Sequence, residues 1–189
     1  MFLDIAIGIL VSVWVGGKYF IALPLYVVFF SVALSFFMDI DALIEEIYFR
    51  LRKRKLIKHD HRDIFHFPIP YILIGSTAFV LLNNFMWLEI FILVSLLHFL
   101  HDSIGLGWGV YWLYPLTKKR YSFLYQYDIF KHKLKPYKII YSWTDEELTK
   151  METAYGDPHW IKNIYFKFHP YPIVEFIVFL FALYFYFAR

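Results

Sequence analysis

Five apolar runs are the strongest constraint on the fold of this 189-residue chain. They cover residues 2–16, 19–38, 65–82, 85–106 and 171–188. Each is long enough, or nearly long enough, to cross the ~30 Å hydrocarbon core of a bilayer. Hydrophobic residues make up 60% of the chain, more than a soluble core of this size can bury. The sequence therefore predicts an all-α, polytopic helical membrane protein, with about five transmembrane or membrane-inserted helices in a single membrane domain, 1–189.

The first run differs from the others because it is short and carries Asp4. It could cross the membrane, tilt, re-enter or lie shallow. Its acidic start, and the lack of a small-x-small pattern after it, argue against a cleaved signal peptide.

Lysine and arginine are concentrated in two segments. Of the 19 basic residues, all except Lys18 and Arg189 lie within residues 50–62 or 107–170. Basic loops stay on the cytoplasmic side, so both segments and the N-terminus are predicted to be cytoplasmic. The two apolar runs between them are joined by an uncharged turn at 83–85, and two crossings return the chain to the same side. We expect a multi-pass protein of the cell (inner) membrane, with an interfacial cytoplasmic segment at 107–170.

The interfacial segment combines a short helix with a basic, aromatic stretch. Thr144 as N-cap, Glu147 three residues later and Gly156 as a stop predict the helix. Residues 118–141 interleave lysine with tyrosine and phenylalanine, a composition typical of a surface against lipid headgroups. This pattern favours a membrane lipid or amphiphile as the partner, and nucleic acid is not expected.

Imidazoles and carboxylates collect where the apolar runs meet the basic segments. Counted from the turn at 83–85, His66 and Asp102 lie about 17 and 18 residues away, which is ~25–27 Å at ~1.5 Å per residue. They therefore reach one depth, close to the basic segments. The residues that collect there are Asp39, Asp41, His61, His66, His98, His101 and Asp102.

The spacing of these residues supports a common site. His98, His101 and Asp102, near the end of the fourth run, share one helical face. His61 and His66 are five residues apart and need a loop, and Pro68 places a helix start just after them. The chain has no cysteine, so a metal would be held by imidazole and carboxylate, which suit Zn²⁺, Mn²⁺, Fe²⁺ or Ni²⁺.

Ordinary explanations cover the other polar residues. Glu89 and Glu175, near opposite membrane ends, are expected to reach the interface. Asp60 and Asp63 balance nearby arginines, although Asp63 could orient a metal ligand. The remaining histidines are expected to cap helices or face water; they are His59, His132, His159 and His169. The predicted metal ligands are Asp39, Asp41, His61, His66, His98 and Asp102.

The order of these residues resembles a known family. The motifs are Asp39-Ile-Asp41, His61-Arg62 through His66, and His98 through Asp102 followed by a stretch with Gly109 and Pro115. They are similar to those of the bacterial and archaeal membrane-bound metal-dependent hydrolases, inner-membrane hydrolases first noticed under LexA control and distantly similar to zinc phospholipases C. The resemblance covers residues 35–123. This chain has Met38 where the family usually has proline, and it lacks the family's Gly-x-Thr-His-Ser around the second histidine.

The resemblance implies a metal-dependent hydrolase that acts on a phosphoester with one or two divalent ions, Zn²⁺ or Mn²⁺. His101 would then be an acid–base group or a further ligand, Asp63 would orient a ligand, and Arg62 would clamp an anionic group. Positive charge beside an apolar boundary makes a phosphate-bearing lipid the expected substrate. The residues predicted to bind it are Arg62, Lys118, Lys119 and Arg120.

Two other classes of protein remain open. A membrane di-iron oxygenase or desaturase also uses intramembrane histidines. It needs more of them than this site provides, because half of the predicted ligands are carboxylates. A non-enzymatic scaffold that binds lipid or protein would use the lysine and tyrosine surface without a metal.

Overall fold

The computed structural model of the protein describes residues 2–20, 22–40, 65–104, 109–124, 139–155, 160–167 and 169–189. Within these ranges the chain is mostly helical, with one two-stranded sheet. The helices are α1 (Phe2–Tyr19), α2 (Leu25–Phe37), α3 (Pro68–Leu81), α4 (Phe85–Ser103), α5 (Asp145–Tyr155), α6 (Trp160–Tyr165) and α7 (Pro170–Phe187), and the strands are β1 (Arg120–Phe123) and β2 (Ile140–Trp143).

In the described part of the chain, three helices are long and apolar enough to cross a membrane: α1, α4 and α7, with 18, 19 and 18 residues. Helices α2 and α3 are apolar but have only 13 and 14 residues, a length of roughly 20 Å. Their predicted runs are longer because they include apolar residues outside the helices. Pro24 is the N-cap of α2, and α3 begins at Pro68, as expected for a residue without a backbone N–H. Three predicted spans therefore have the length and composition of membrane helices, and two are shorter than predicted.

Helix α1, whose crossing the sequence left open, lies at the centre of the bundle. It packs against α2, α4 and α7, while α4 also packs against α2 and α3. One apolar cluster joins α1, α2 and α4, and a second joins α1, α2 and α7. The outward faces of α3 and α7 carry exposed leucine, isoleucine and phenylalanine side chains, the kind of surface that contacts lipid.

Gly8 allows α1 and α2 to approach closely. A Cβ atom at this position would lie 2.5 Å from the Cα atom of Val32 and 2.7 Å from its backbone nitrogen. Small residues at such crossings are typical of packed membrane helices. Because the neighbour is backbone, the contact could be relieved only by moving one helix.

Gly8→Ala should therefore destabilise the protein by about 1–3 kcal/mol, the usual cost of overpacking. Thermal unfolding in detergent measures the effect. Gly17→Ala is the matched control on the same helix, because its added Cβ would meet only the guanidinium end of Arg189, which can move away. Equal stability of the two variants would contradict this account of the α1–α2 contact.

The two-stranded sheet is a departure from the all-α prediction. β1 and β2 run antiparallel, with Arg120 opposite Trp143 and Phe123 opposite Ile140. In the sequence, β1 and the first two residues of β2 belong to the basic, aromatic stretch at 118–141. Four-residue strands carry too little periodicity to be told apart from an aromatic loop, and their partners are distant in sequence.

Hydrogen bonds fix the sheet against the C-terminal end of α4. Ser122 Oγ donates to the carbonyl oxygen of Ser103 at 3.1 Å, and Trp112 Nε1 donates to Ser103 Oγ at 2.7 Å. A single bridge also joins Ile104 to Phe123. We call this end of the helix bundle the sheet end.

The predicted helix after β2 is confirmed. The Thr144 N–H donates to Glu147 Oε2 at 2.8 Å, and the Glu147 N–H donates to Thr144 Oγ1 at 3.3 Å. This reciprocal pair is a capping box. The helix ends at Tyr155, directly before Gly156.

Candidate metal centre

Four side chains from three separate helix ends converge at the sheet end. Asp39, His66, His98 and Asp102 each offer one ligand atom, and these atoms lie within 4.8 Å of one another. The two imidazoles are close enough for their ring centroids to lie 5.8 Å apart. We call this group the four-residue cluster.

The pairwise distances suit a shared cation. His66 Nε2 lies 3.1 Å from Asp102 Oδ2 and 3.7 Å from Asp39 Oδ1. His98 Nε2 lies 3.6 Å from the same Asp102 oxygen and 3.6 Å from the same Asp39 oxygen. Ligands ~2.0–2.2 Å from a tetrahedral Zn²⁺ lie roughly 3.3–3.6 Å from one another. The cluster therefore has the size of a site for one metal ion.

Local sequence explains how each side chain reaches the cluster. Asp39 follows the last turn of α2, where its N–H donates to the carbonyl oxygen of Phe36 at 3.1 Å. His66 stands two residues before Pro68, which opens α3. His98 and Asp102 are one turn apart at the end of α4.

Burial separates three members of the cluster from the fourth. His66, His98 and Asp102 are 0%, 1% and 8% exposed. The Asp39 side chain is 35% exposed, so this carboxylate marks the open side of the cluster. His98 Nε2 has no hydrogen-bond partner in the described part of the chain. Since a buried polar atom is costly without a partner, a bound cation fits this nitrogen.

The structure brings together four of the six predicted ligands. Asp41 and His61 lie outside the described residues, as do Arg62 and Asp63. The predicted common depth of His66 and Asp102 agrees with their 3.1 Å separation.

His101 faces away from the four-residue cluster, toward two other carboxylates. Its Nδ1 lies 3.5 Å from Asp4 Oδ1, and its Nε2 lies 3.4 Å from Glu175 Oε1. Its ring stacks on Tyr171, with centroids 6.0 Å apart and planes 12° apart. Its predicted role as acid–base group or further ligand remains a prediction.

Asp4 and Glu175 have no functional role among the sequence predictions. Both are buried, at 3% and 2% exposure, and Asp4 Oδ1 also lies 3.1 Å from His98 Nδ1. The signal was present, because an ionisable residue inside an apolar run usually has a function. The sequence instead links Asp4 to a first segment that tilts, re-enters or lies shallow, and the prediction that Glu175 reaches the interface is wrong because its side chain is buried against His101.

The predicted phosphate-binding run divides into two exposed residues and one buried residue. Lys118 and Lys119 are exposed, whereas Arg120 is 1% exposed. The Arg120 guanidinium lies over the Tyr111 ring, 4.5 Å from its centroid, and its Nε lies 3.6 Å from Asp145 Oδ1. Burial and a hydrogen bond to Asp145 raise the pKa of Tyr111 to about 12, so this phenol stays neutral beside the arginine. Arg120 therefore ties β1 to α5.

No family model, curated protein or solved structure matches this chain. The fold and site themselves define its class: a helical protein whose described part has three helices able to cross a membrane, and a largely buried cluster of two histidines and two aspartates that could hold a metal ion.

Proposed function

We propose that the protein is a membrane-bound, metal-dependent hydrolase that cleaves a phosphoester of a lipid or another amphiphile. The observation that carries this proposal is the convergence of Asp39, His66, His98 and Asp102 at one end of an apolar helix bundle. Ionisable groups at such positions are costly and usually serve a function. A metal site at the end of membrane helices has access both to water and to lipid headgroups.

The donor set fits the proposed cofactor. Two imidazoles and two carboxylates are ligands for Zn²⁺ or Mn²⁺, and the absence of cysteine from the chain excludes a thiolate site. A divalent ion of this kind supplies an activated water and polarises the scissile bond. One or two ions are proposed, with Asp41 and His61 as further ligands by their resemblance to the hydrolase motifs.

The chain's own residues would bind the metal, accept a proton and bind the anionic group of the substrate. His66, His98 and Asp102 are buried and would hold the cation in place. Asp39 is the most exposed of the four, so water and substrate would approach on its side. The Asp39 carboxylate could then accept a proton from the attacking water. Arg62, by its resemblance to the family motif, would bind the anionic group.

Two surface features support the substrate class. Lys118 and Lys119 are exposed on the segment that leads into β1, which is docked on Ser103 and Ile104 at the end of α4. The outward faces of α3 and α7 are apolar. A phosphate-bearing lipid would use both features, whereas a soluble nucleotide would use only the charge. The concentration of basic residues in segments 50–62 and 107–170 of the sequence supports a cytoplasmic orientation in the cell membrane.

A comparison of substrates tests this assignment. A long-chain lipid phosphoester should be hydrolysed with a kcat/KM at least ~10-fold above that of a short, water-soluble phosphoester, because the acyl tail adds binding energy. Lys118→Gln combined with Lys119→Gln should raise the KM for the lipid and weaken its salt dependence, at unchanged metal content.

The matched control is Lys18→Gln, at the opposite end of the bundle, where Lys18 pairs with Glu89. This change should leave the KM for the lipid unchanged. Equal turnover of the long and short substrates by the wild-type protein would exclude a membrane substrate.

A further inference from the structure

Two carboxylates, one on α1 and one on α7, lie beyond His98 on the side that faces away from the four-residue cluster. Asp4, on α1, lies 3.1 Å from His98 Nδ1, the ring nitrogen that faces away from the cluster. Its same oxygen lies 3.5 Å from His101 Nδ1, and His101 Nε2 lies 3.4 Å from Glu175 Oε1 on α7. A continuous chain therefore runs from Glu175 through His101 and Asp4 to His98.

We infer that Asp4 and Glu175 are positioning residues for the metal centre, so that α1 and α7 set its metal affinity from outside the ligand shell. The inference rests on the proposed metal site, and it extends that site to helices that contribute no ligand to the four-residue cluster.

The chemistry of imidazole gives Asp4 its role. A neutral imidazole has one N–H and one lone pair. Nε2 of His98 faces the oxygens of Asp39 and Asp102, so this nitrogen must carry the lone pair for a metal. The N–H then lies on Nδ1, where Asp4 accepts it. A carboxylate in this position fixes the tautomer and ring orientation of a metal-binding histidine and makes it a stronger ligand.

Besides His98, Asp4 contacts Ser35 and His101. Its backbone oxygen accepts a hydrogen bond from Ser35 Oγ of α2 at 2.8 Å. Its carboxylate faces His101, whose ring is held between Tyr171 and Glu175 of α7. The position of the Asp4 carboxylate therefore depends on α7, although α7 lies far from the cluster in sequence.

Metal affinity tests the inference directly. Competition with a chelating dye measures Zn²⁺ affinity in detergent-purified full-length protein. Asp4→Asn should weaken Zn²⁺ binding by roughly 10–100-fold, the usual effect of removing such a partner. Glu175→Gln should weaken it less, because it acts through two intermediates. Glu89→Gln is the matched control: it removes a carboxylate from the other end of α4 and should leave Zn²⁺ affinity unchanged.

Two further readouts separate positioning from ligation and from general destabilisation. With saturating Co²⁺, the visible spectrum of Asp4→Asn should match that of the wild type, since the ligands are the same, whereas His98→Ala should change it. The double variant Asp4→Asn with Glu175→Gln should bind Zn²⁺ as Asp4→Asn does, because both residues act along one path.

The outcomes distinguish this inference from the proposed function. If His98→Ala loses Zn²⁺ but Asp4→Asn and Glu175→Gln retain wild-type affinity, the positioning role is wrong and the metal site stands. An equal loss in Glu89→Gln, or a Co²⁺ spectrum in Asp4→Asn that matches His98→Ala, would also overturn it. If the wild-type protein binds neither ion, the metal site and this inference fail together. Glu175 lies on the far side of His101 from Asp4, so Glu175→Gln keeps the test open if Asp4→Asn does not fold.

Discussion

His98→Ala and Asp102→Ala should each weaken Zn²⁺ or Mn²⁺ binding by more than ~100-fold, beyond the effect of losing an outer-shell partner. Each substitution removes one of the four ligand atoms that lie within 4.8 Å of one another. Among the described residues, no other imidazole or carboxylate belongs to the cluster. Titration of the purified protein in detergent against a chelating dye measures the effect.

His169→Ala is the control for these variants. His169 caps α7, where its Nδ1 accepts a hydrogen bond from the Tyr171 N–H at 3.2 Å. Its loss should cost about 1 kcal/mol of stability, as for other helix caps, without changing metal affinity. Similar metal affinity in all three variants would show that the cluster is not the metal site.

Removal of the metal should abolish hydrolysis of a long-chain lipid phosphoester, with a fall in kcat of at least ~10³-fold. The reason is that the proposed reaction uses a metal-activated water as its nucleophile. The measurement is phosphate release before chelation, after chelation, and after Zn²⁺ or Mn²⁺ is restored. Asp39→Asn should cause a comparable fall, because Asp39 lies on the open side of the cluster.

Restored activity on adding back the metal separates loss of the ion from loss of the fold. Wild-type hydrolysis rates in a protein shown to be metal-free would contradict the hydrolase mechanism. Oxygen-dependent chemistry with bound iron would instead favour a membrane oxygenase.

The part of the site that the sequence predicts depends on local signals. His98 and Asp102 share a helix face because they are one turn apart, and Pro68 sets the helix start that leaves His66 in the preceding loop. The depth of His66 and Asp102 follows from counting residues on either side of one tight turn. These features depend only on residues close in sequence or on a count along two adjacent helices, and each of them agrees with the structure.

The remaining features depend on contacts between distant segments. Asp4 meets His98 across 94 positions, and no local pattern shows that an acid in the first apolar run faces an imidazole in the fourth. Arg120 is similar: a run of three basic residues predicts exposure, but pairing with Tyr111 and Asp145 buries one of them. The two-stranded sheet was missed for the same reason, since its four-residue strands are stabilised by docking on α4.

The metal content of the wild-type protein tests the central claim most directly. The protein is purified in detergent without chelator, incubated with Zn²⁺ and Mn²⁺, freed of unbound ions, and measured by elemental analysis for ions per chain. We expect one or two divalent ions per chain in the wild type, and a clear loss in His98→Ala with the fold retained. A folded wild-type protein without stoichiometric metal after this treatment would contradict the account and leave a non-enzymatic membrane scaffold as the better interpretation.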